Sequence, residues 1–116
     1  MALFAVLALC ALPAVAQSLP RDFSGTWALK REWCRPGPDA PADQPRPFTL
    51  GPGRLKIDDM TCEFISMLPG GIMWRVEADC TAGTAKGKEF FVFSMMDQNL
   101  VWGWDTQTAP FTRCPE

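Results

Sequence analysis

The chain has 116 residues, with 11 basic and 13 acidic side chains, five cysteines, five tryptophans, and neither histidine nor tyrosine. Its net charge of −2 gives no basic surface for nucleic acid or anionic lipid. The absence of histidine excludes Ser-His-Asp and Cys-His catalytic sites and removes the commonest zinc ligand. We therefore expect a single domain that is not an enzyme and has no catalytic residue, metal or cofactor.

The first sixteen residues are uncharged and predict a signal peptide. An apolar run at 3–12 is followed by Pro13 and by Ala14-Val15-Ala16, which is typical of an A-x-A cleavage site. The run is shorter than the about 20 apolar residues of a membrane-spanning helix. We expect a mature domain at 17–116, with no membrane span after cleavage, in the periplasm or secreted. Lipidation of Cys10 is the alternative.

Residues 17–116 predict seven or eight short strands and no long helix. A first strand is indicated by apolar residues at alternate positions, which would lie on one face: Trp27, Leu29 and Trp33. Short alternating segments at 48–50 and 55–57 indicate two more.

Between them, the segment 35–47 contains five prolines in thirteen residues. Proline lacks the amide donor of a strand ladder, so we expect an extended, exposed loop. This loop is either a tolerated insertion or a recognition segment, because prolines reduce the entropy lost on binding. The candidate recognition residues are Pro36, Pro38, Pro41 and Pro45.

The clearest strand signal is the strict alternation at 72–80. A weaker alternation at 62–68 precedes it, and Pro69-Gly70-Gly71 between them predicts a hairpin turn. The segment 89–96 is apolar on both faces, as expected of a central strand covered on each side. Two last strands are expected at 100–104 and 110–114. The expected fold is a small antiparallel β-barrel or sandwich.

The four cysteines after the leader have no C-x-x-C spacing and are expected to form two disulfides. Four cysteines allow three pairings. Cys62 and Cys80 lie on one face of the predicted hairpin, where they can meet. We therefore favour the pair Cys62–Cys80 together with Cys34–Cys114.

Two other residue groups are candidates for a site. Trp27, Trp102 and Trp104 either pack in the core or line a ligand pocket. A carboxylate mechanism would require acidic side chains to converge in a cleft, whereas we expect them to be solvated. The acidic side chains are Asp58, Asp59, Glu63, Glu77 and Asp79.

The segment Phe23-Ser24-Gly25-Thr26-Trp27 is similar to the G-x-W opening strand of calycins, the lipocalin-like and avidin-like barrels, and of small periplasmic metalloproteinase inhibitors. The resemblance implies a barrel in which Arg113 lies over Trp27 in a cation–π contact.

The overall layout also resembles small exported, disulfide-bonded bacterial β proteins of unknown function. This resemblance implies architecture and export and leaves the activity open. It is carried by Gly25 to Ala28, Trp33-Cys34, Cys62-Glu63-Phe64, Trp74 to Cys80 and Cys114.

The sequence thus predicts an exported binding module, with a protein partner favoured over a small molecule. An inhibitor of an envelope protease or hydrolase is its most concrete form. The alternative is a lipocalin-like carrier of a small apolar ligand. The oligomeric state is left open.

Overall fold

The computed structural model describes residues 18–104 and 106–116, so the predicted signal peptide at 1–16 lies outside the described residues. Eight antiparallel strands form one sheet, and β1 pairs with both β2 and β8, which closes the sheet into a barrel. The strands are β1 (Gly25–Ala28), β2 (Phe48–Leu50), β3 (Arg54–Ile57), β4 (Met60–Gly70), β5 (Met73–Ala82), β6 (Ala85–Met96), β7 (Asn99–Trp104) and β8 (Gln107–Arg113). The predicted all-β fold and its barrel form are confirmed.

Two 3₁₀ turns, Arg21–Phe23 and Arg31–Trp33, are the only helices in the described part of the chain. Neither is long or apolar enough to cross a membrane.

One hydrophobic core lies inside the barrel, because each strand turns alternate side chains inward. Trp27, Phe48, Leu55 and Phe93 are at most 1 % exposed. Other buried members are Leu50, Cys62, Val76, Ala78, Phe91, Leu100, Trp102 and Phe111.

The first strand is shorter than predicted. β1 ends at Ala28, and Leu29 and Trp33 lie outside the sheet. The chain turns there instead, with the Trp33 amide donating to the Lys30 carbonyl at 2.9 Å. This turn carries the chain to Cys34, which is bonded to Cys114 just after β8.

The turn of the central hairpin also differs from the prediction. β4 continues through Gly70, which pairs with Met73, and the chain reverses at Gly71 (φ +66°) and Ile72. Pro69 is tolerated within β4 because the ladder to β3 ends at Glu63, so β4 has one neighbouring strand at that point.

The prediction that 89–96 is covered on both faces is wrong. Phe90 is 66 % exposed and Met96 54 %. In a closed barrel the outer face of a strand points to solvent, so only the inward residues such as Phe91 and Phe93 are covered.

Both predicted disulfides are present. Cys34 pairs with Cys114, and Cys62 pairs with Cys80. Cys62 and Cys80 are register partners across β4 and β5, with their Cα atoms 4.0 Å apart. Two disulfides indicate that the protein matures in an oxidising compartment.

Candidate functional site: an apolar cavity at one end of the barrel

The end of the barrel where β1 begins is closed by Trp27. Its indole N–H donates to the Phe23 carbonyl at 3.0 Å. The Arg113 guanidinium lies 4.3 Å from the centre of the Trp27 ring and donates to the carbonyls of Ser24 and Asp22. The cation–π contact implied by the calycin resemblance is therefore present, and Trp27 is a core residue rather than a ligand contact.

The opposite end of the barrel opens into a cavity of about 430 Å³. It lies where β1, β3 and β7 end and where β2 and β4 begin. Most of its lining is apolar, and four of the lining residues are buried aromatic rings. The buried rings are Phe48, Phe91, Trp102 and Phe111; the half-buried residues are Leu29, Ile57, Met60 and Trp104; and Pro45, Arg46 and Glu89 are exposed.

Trp102 and Trp104 reach the cavity because they share the inward face of β7. Gly103 between them points outward, where a Cβ atom would lie 3.2 Å from the Thr108 methyl carbon. The two indole rings are 5.2 Å apart, and Phe48 meets Trp102 edge-on at 4.8 Å. Such aromatic pairs contribute about 0.5–1.5 kcal/mol each beyond their burial, so they stabilise this part of the wall.

The Trp102 indole N–H is the one buried side-chain polar atom in the described residues that has no hydrogen-bond partner. It is buried away from solvent. An indole N–H can donate to an aromatic face, and Phe48 and Phe91 both lie at steep angles to the Trp102 ring. Trp102 is thus bordered by aromatic rings, with its indole N–H as a buried polar atom among them.

In the described lining, charged side chains lie only at the mouth of the cavity. Arg46 and Glu89 are the charged members of the described lining, and both side chains are exposed. Neither forms an ion pair with another described residue. The site thus combines an aromatic interior with two charges of opposite sign at the rim.

The connection between β1 and β2 borders this mouth. Contrary to the prediction of an extended loop, two turns shape it: the Ala40 amide donates to the Gly37 carbonyl at 3.1 Å and the Gln44 amide to the Pro41 carbonyl at 3.0 Å. Of the four predicted recognition prolines, only Pro45 lines the cavity. Pro38 and Pro41 are exposed elsewhere, and Pro36 is half-buried.

The acidic residues considered for catalysis do not meet in a cleft. Asp58 and Asp59 form the turn between β3 and β4. Glu63 is paired with Arg54 at 2.7 Å, and Glu77 with Lys88 at 3.4 Å, on the outer surface. Asp79 is the register partner of Glu63 and lies exposed beside it on the sheet surface rather than in a cleft. The described residues contain no cluster of three or more potential metal ligands.

Sequence reasoning identified Trp102, Trp104 and, as a recognition residue, Pro45, but missed the rest of the lining. Strand parity already marks Phe48 as inward-facing, whereas the segment containing Phe91 is apolar at both parities and gives no such signal. Their position near the open end depends on the register of all eight strands, which the sequence does not reveal. Arg46 and Glu89 gave no signal of their own.

Comparisons of this chain with protein-family models, with curated proteins and with solved structures found no match.

Proposed function

We propose that this protein binds a small, largely apolar molecule in the cavity at the open end of its barrel. The observation that carries the proposal is a cavity of about 430 Å³ with buried aromatic rings in its lining. Small-molecule sites typically have volumes of about 300–1,000 Å³, apolar walls and few polar groups. Of the two functions considered from the sequence, this geometry supports the ligand carrier better than the protein-binding module.

The physical driving force is the removal of water from apolar surface. A cavity of about 430 Å³ has room for on the order of 14 water molecules at ~30 Å³ each. An apolar ligand that replaces them gains roughly 25 cal/mol for each Å² of apolar surface that it covers. The closed barrel holds the walls in place, so little ordering entropy is lost on binding.

We further propose that binding takes place outside the cytosol. The two disulfides support an oxidising compartment, and the leader sequence at 1–16 supports export to the periplasm or the exterior. A carrier there would meet apolar molecules that enter or leave the cell.

The expectation of a protein partner at the proline-rich loop stays a prediction. Pro38 and Pro41 are exposed and lie outside the cavity lining. A protein contact at this loop and a ligand in the cavity are therefore compatible.

The ligand proposal is tested by filling the cavity. Met60 is half-buried in the lining, and Met60→Trp would occupy much of the space. The probe is N-phenyl-1-naphthylamine, a neutral dye whose emission rises in apolar surroundings. We expect Met60→Trp to lower its affinity at least tenfold, measured by dye emission and by quenching of intrinsic tryptophan fluorescence.

The matched control is Met73→Trp, because Met73 lies exposed on the outer face of β5. It should bind the dye like the unmodified protein. Equal binding by the two variants, or no saturable binding by the unmodified protein, would contradict the proposal.

A further inference from the structure

The charges at the cavity mouth bear on the chemical class of the ligand. Arg46 and Glu89 have opposite signs, but their surroundings differ. Glu89 shares an adjoining surface groove with Lys86, on the same strand. Both side chains are exposed, and they leave β6 on opposite faces because they are three residues apart on one strand.

Arg46 shares the cavity mouth with Glu89, which is one of the described acidic residues. It forms no ion pair with any of them, and it stands between Pro45 and Pro47, whose rings fix the backbone φ angle on each side. The guanidinium is therefore carried by a backbone segment of restricted conformational freedom, at the rim of an apolar cavity.

A guanidinium in this position favours one kind of polar group. Its planar donors match the two oxygens of a carboxylate, and it is less strongly hydrated than an ammonium group. The aromatic lining in turn favours a ring, since aromatic pairs gain from edge-on and offset contacts. No described charged side chain other than Arg46 and Glu89 lines the cavity, so a charged group on the ligand would remain at the mouth.

We infer that the ligand is an aromatic carboxylate, whose ring enters the cavity and whose carboxylate binds the Arg46 guanidinium at the mouth. This inference rests on the proposed ligand-binding function and adds the chemical class and the orientation of the ligand.

The test compares two probes with the same naphthalene ring and similar side chains, 2-naphthylacetate and 2-(2-naphthyl)ethanol. Their affinities are measured by calorimetry at low salt for the protein with both disulfides formed. Arg46→Gln should weaken binding of the acid roughly threefold to fivefold, as expected for a solvent-exposed ion pair. Binding of the alcohol should not change.

Arg35→Gln is the matched control. Arg35 is an exposed arginine of the same β1–β2 connection and does not line the cavity, so the variant should leave both affinities unchanged. Added salt should weaken binding of the acid to the unmodified protein, because salt screens exposed charges. It should have little effect on binding of the acid to Arg46→Gln.

The outcomes separate the two claims. If both probes bind and Arg46→Gln leaves the ratio of their affinities unchanged, the inference is wrong and the proposed function stands. Equal loss of acid and alcohol would assign Arg46 to packing and would also overturn the inference. If neither probe binds the unmodified protein, the ligand-binding proposal itself fails.

Discussion

Arg113 is the residue on which the closed end of the barrel depends. Its guanidinium covers the Trp27 ring and donates to two carbonyls of the chain preceding β1. The close approach also explains Gly25, since a Cβ atom there would lie 2.6 Å from the Arg113 Nη1 atom. A single side chain from the last strand thus holds the first strand and the turn before it.

Arg113→Lys should lower the free energy of unfolding by about 1–2 kcal/mol. Lysine keeps the charge but not the planar fork that donates to two carbonyls at once. A hydrogen bond from a charged group contributes about 1.5–3 kcal/mol when well protected and less at an exposed site such as this. The measurement is urea unfolding monitored by tryptophan fluorescence.

The control for this substitution is Arg75→Lys on the outer face of β5. Arg75 is exposed and makes no side-chain hydrogen bond to another described residue, so its replacement should change stability by less than about 0.5 kcal/mol. A loss for Arg113→Lys no greater than that for Arg75→Lys would show that the paired hydrogen bonds to the Ser24 and Asp22 carbonyls add no stability.

At the scale of elements, the central hairpin was predictable and its turn was not. Strict alternation from 72 to 80 identified β5, and the shared face of Cys62 and Cys80 gave both disulfide pairs. The alternation in β4 was weaker for a physical reason. A bulge between Phe64 and Ser66 shifts the register by one residue, so the two halves of β4 follow different parities.

The two disulfides should differ in their contribution to stability. Cys34 and Cys114 are 80 residues apart, and Cys62 and Cys80 only 18. Because closing a longer loop removes more entropy from the unfolded chain, we expect about 4.5 kcal/mol from the first and about 3 kcal/mol from the second. Chemical denaturation of the paired variants Cys34→Ser/Cys114→Ser and Cys62→Ser/Cys80→Ser measures this difference.

Each pair of variants is the control for the other, because each removes one bridge and leaves two serines. The reverse order of stability would mean that native contacts around the hairpin, rather than loop length, set the contribution of each bridge.

At the scale of the whole molecule, the sequence predicted strands, core and disulfides but left barrel and sandwich open. The choice depends on the pairing of β1 with β8, through Trp27 with Arg113 and Ala28 with Thr112. These partners are more than 80 positions apart, and no local pattern shows that they meet. The same closure decides which inward side chains surround the cavity, which is why Arg46, Ile57, Met60 and Glu89 were not foreseen.

A ligand that binds the folded barrel alone should also stabilise it against heat. At a free concentration ten times its Kd, N-phenyl-1-naphthylamine should raise the free energy of unfolding by about 1.4 kcal/mol. For a domain of this size that corresponds to an increase in Tm of about 6–11 °C. Scanning calorimetry at one dye concentration should show this increase for the unmodified protein and for Met73→Trp, and at most about a third of it for Met60→Trp, whose enlarged side chain occupies the cavity. An equal increase in both variants would place the dye on the outer surface, where Phe90 and Leu68 are exposed, and would leave the cavity without a demonstrated ligand.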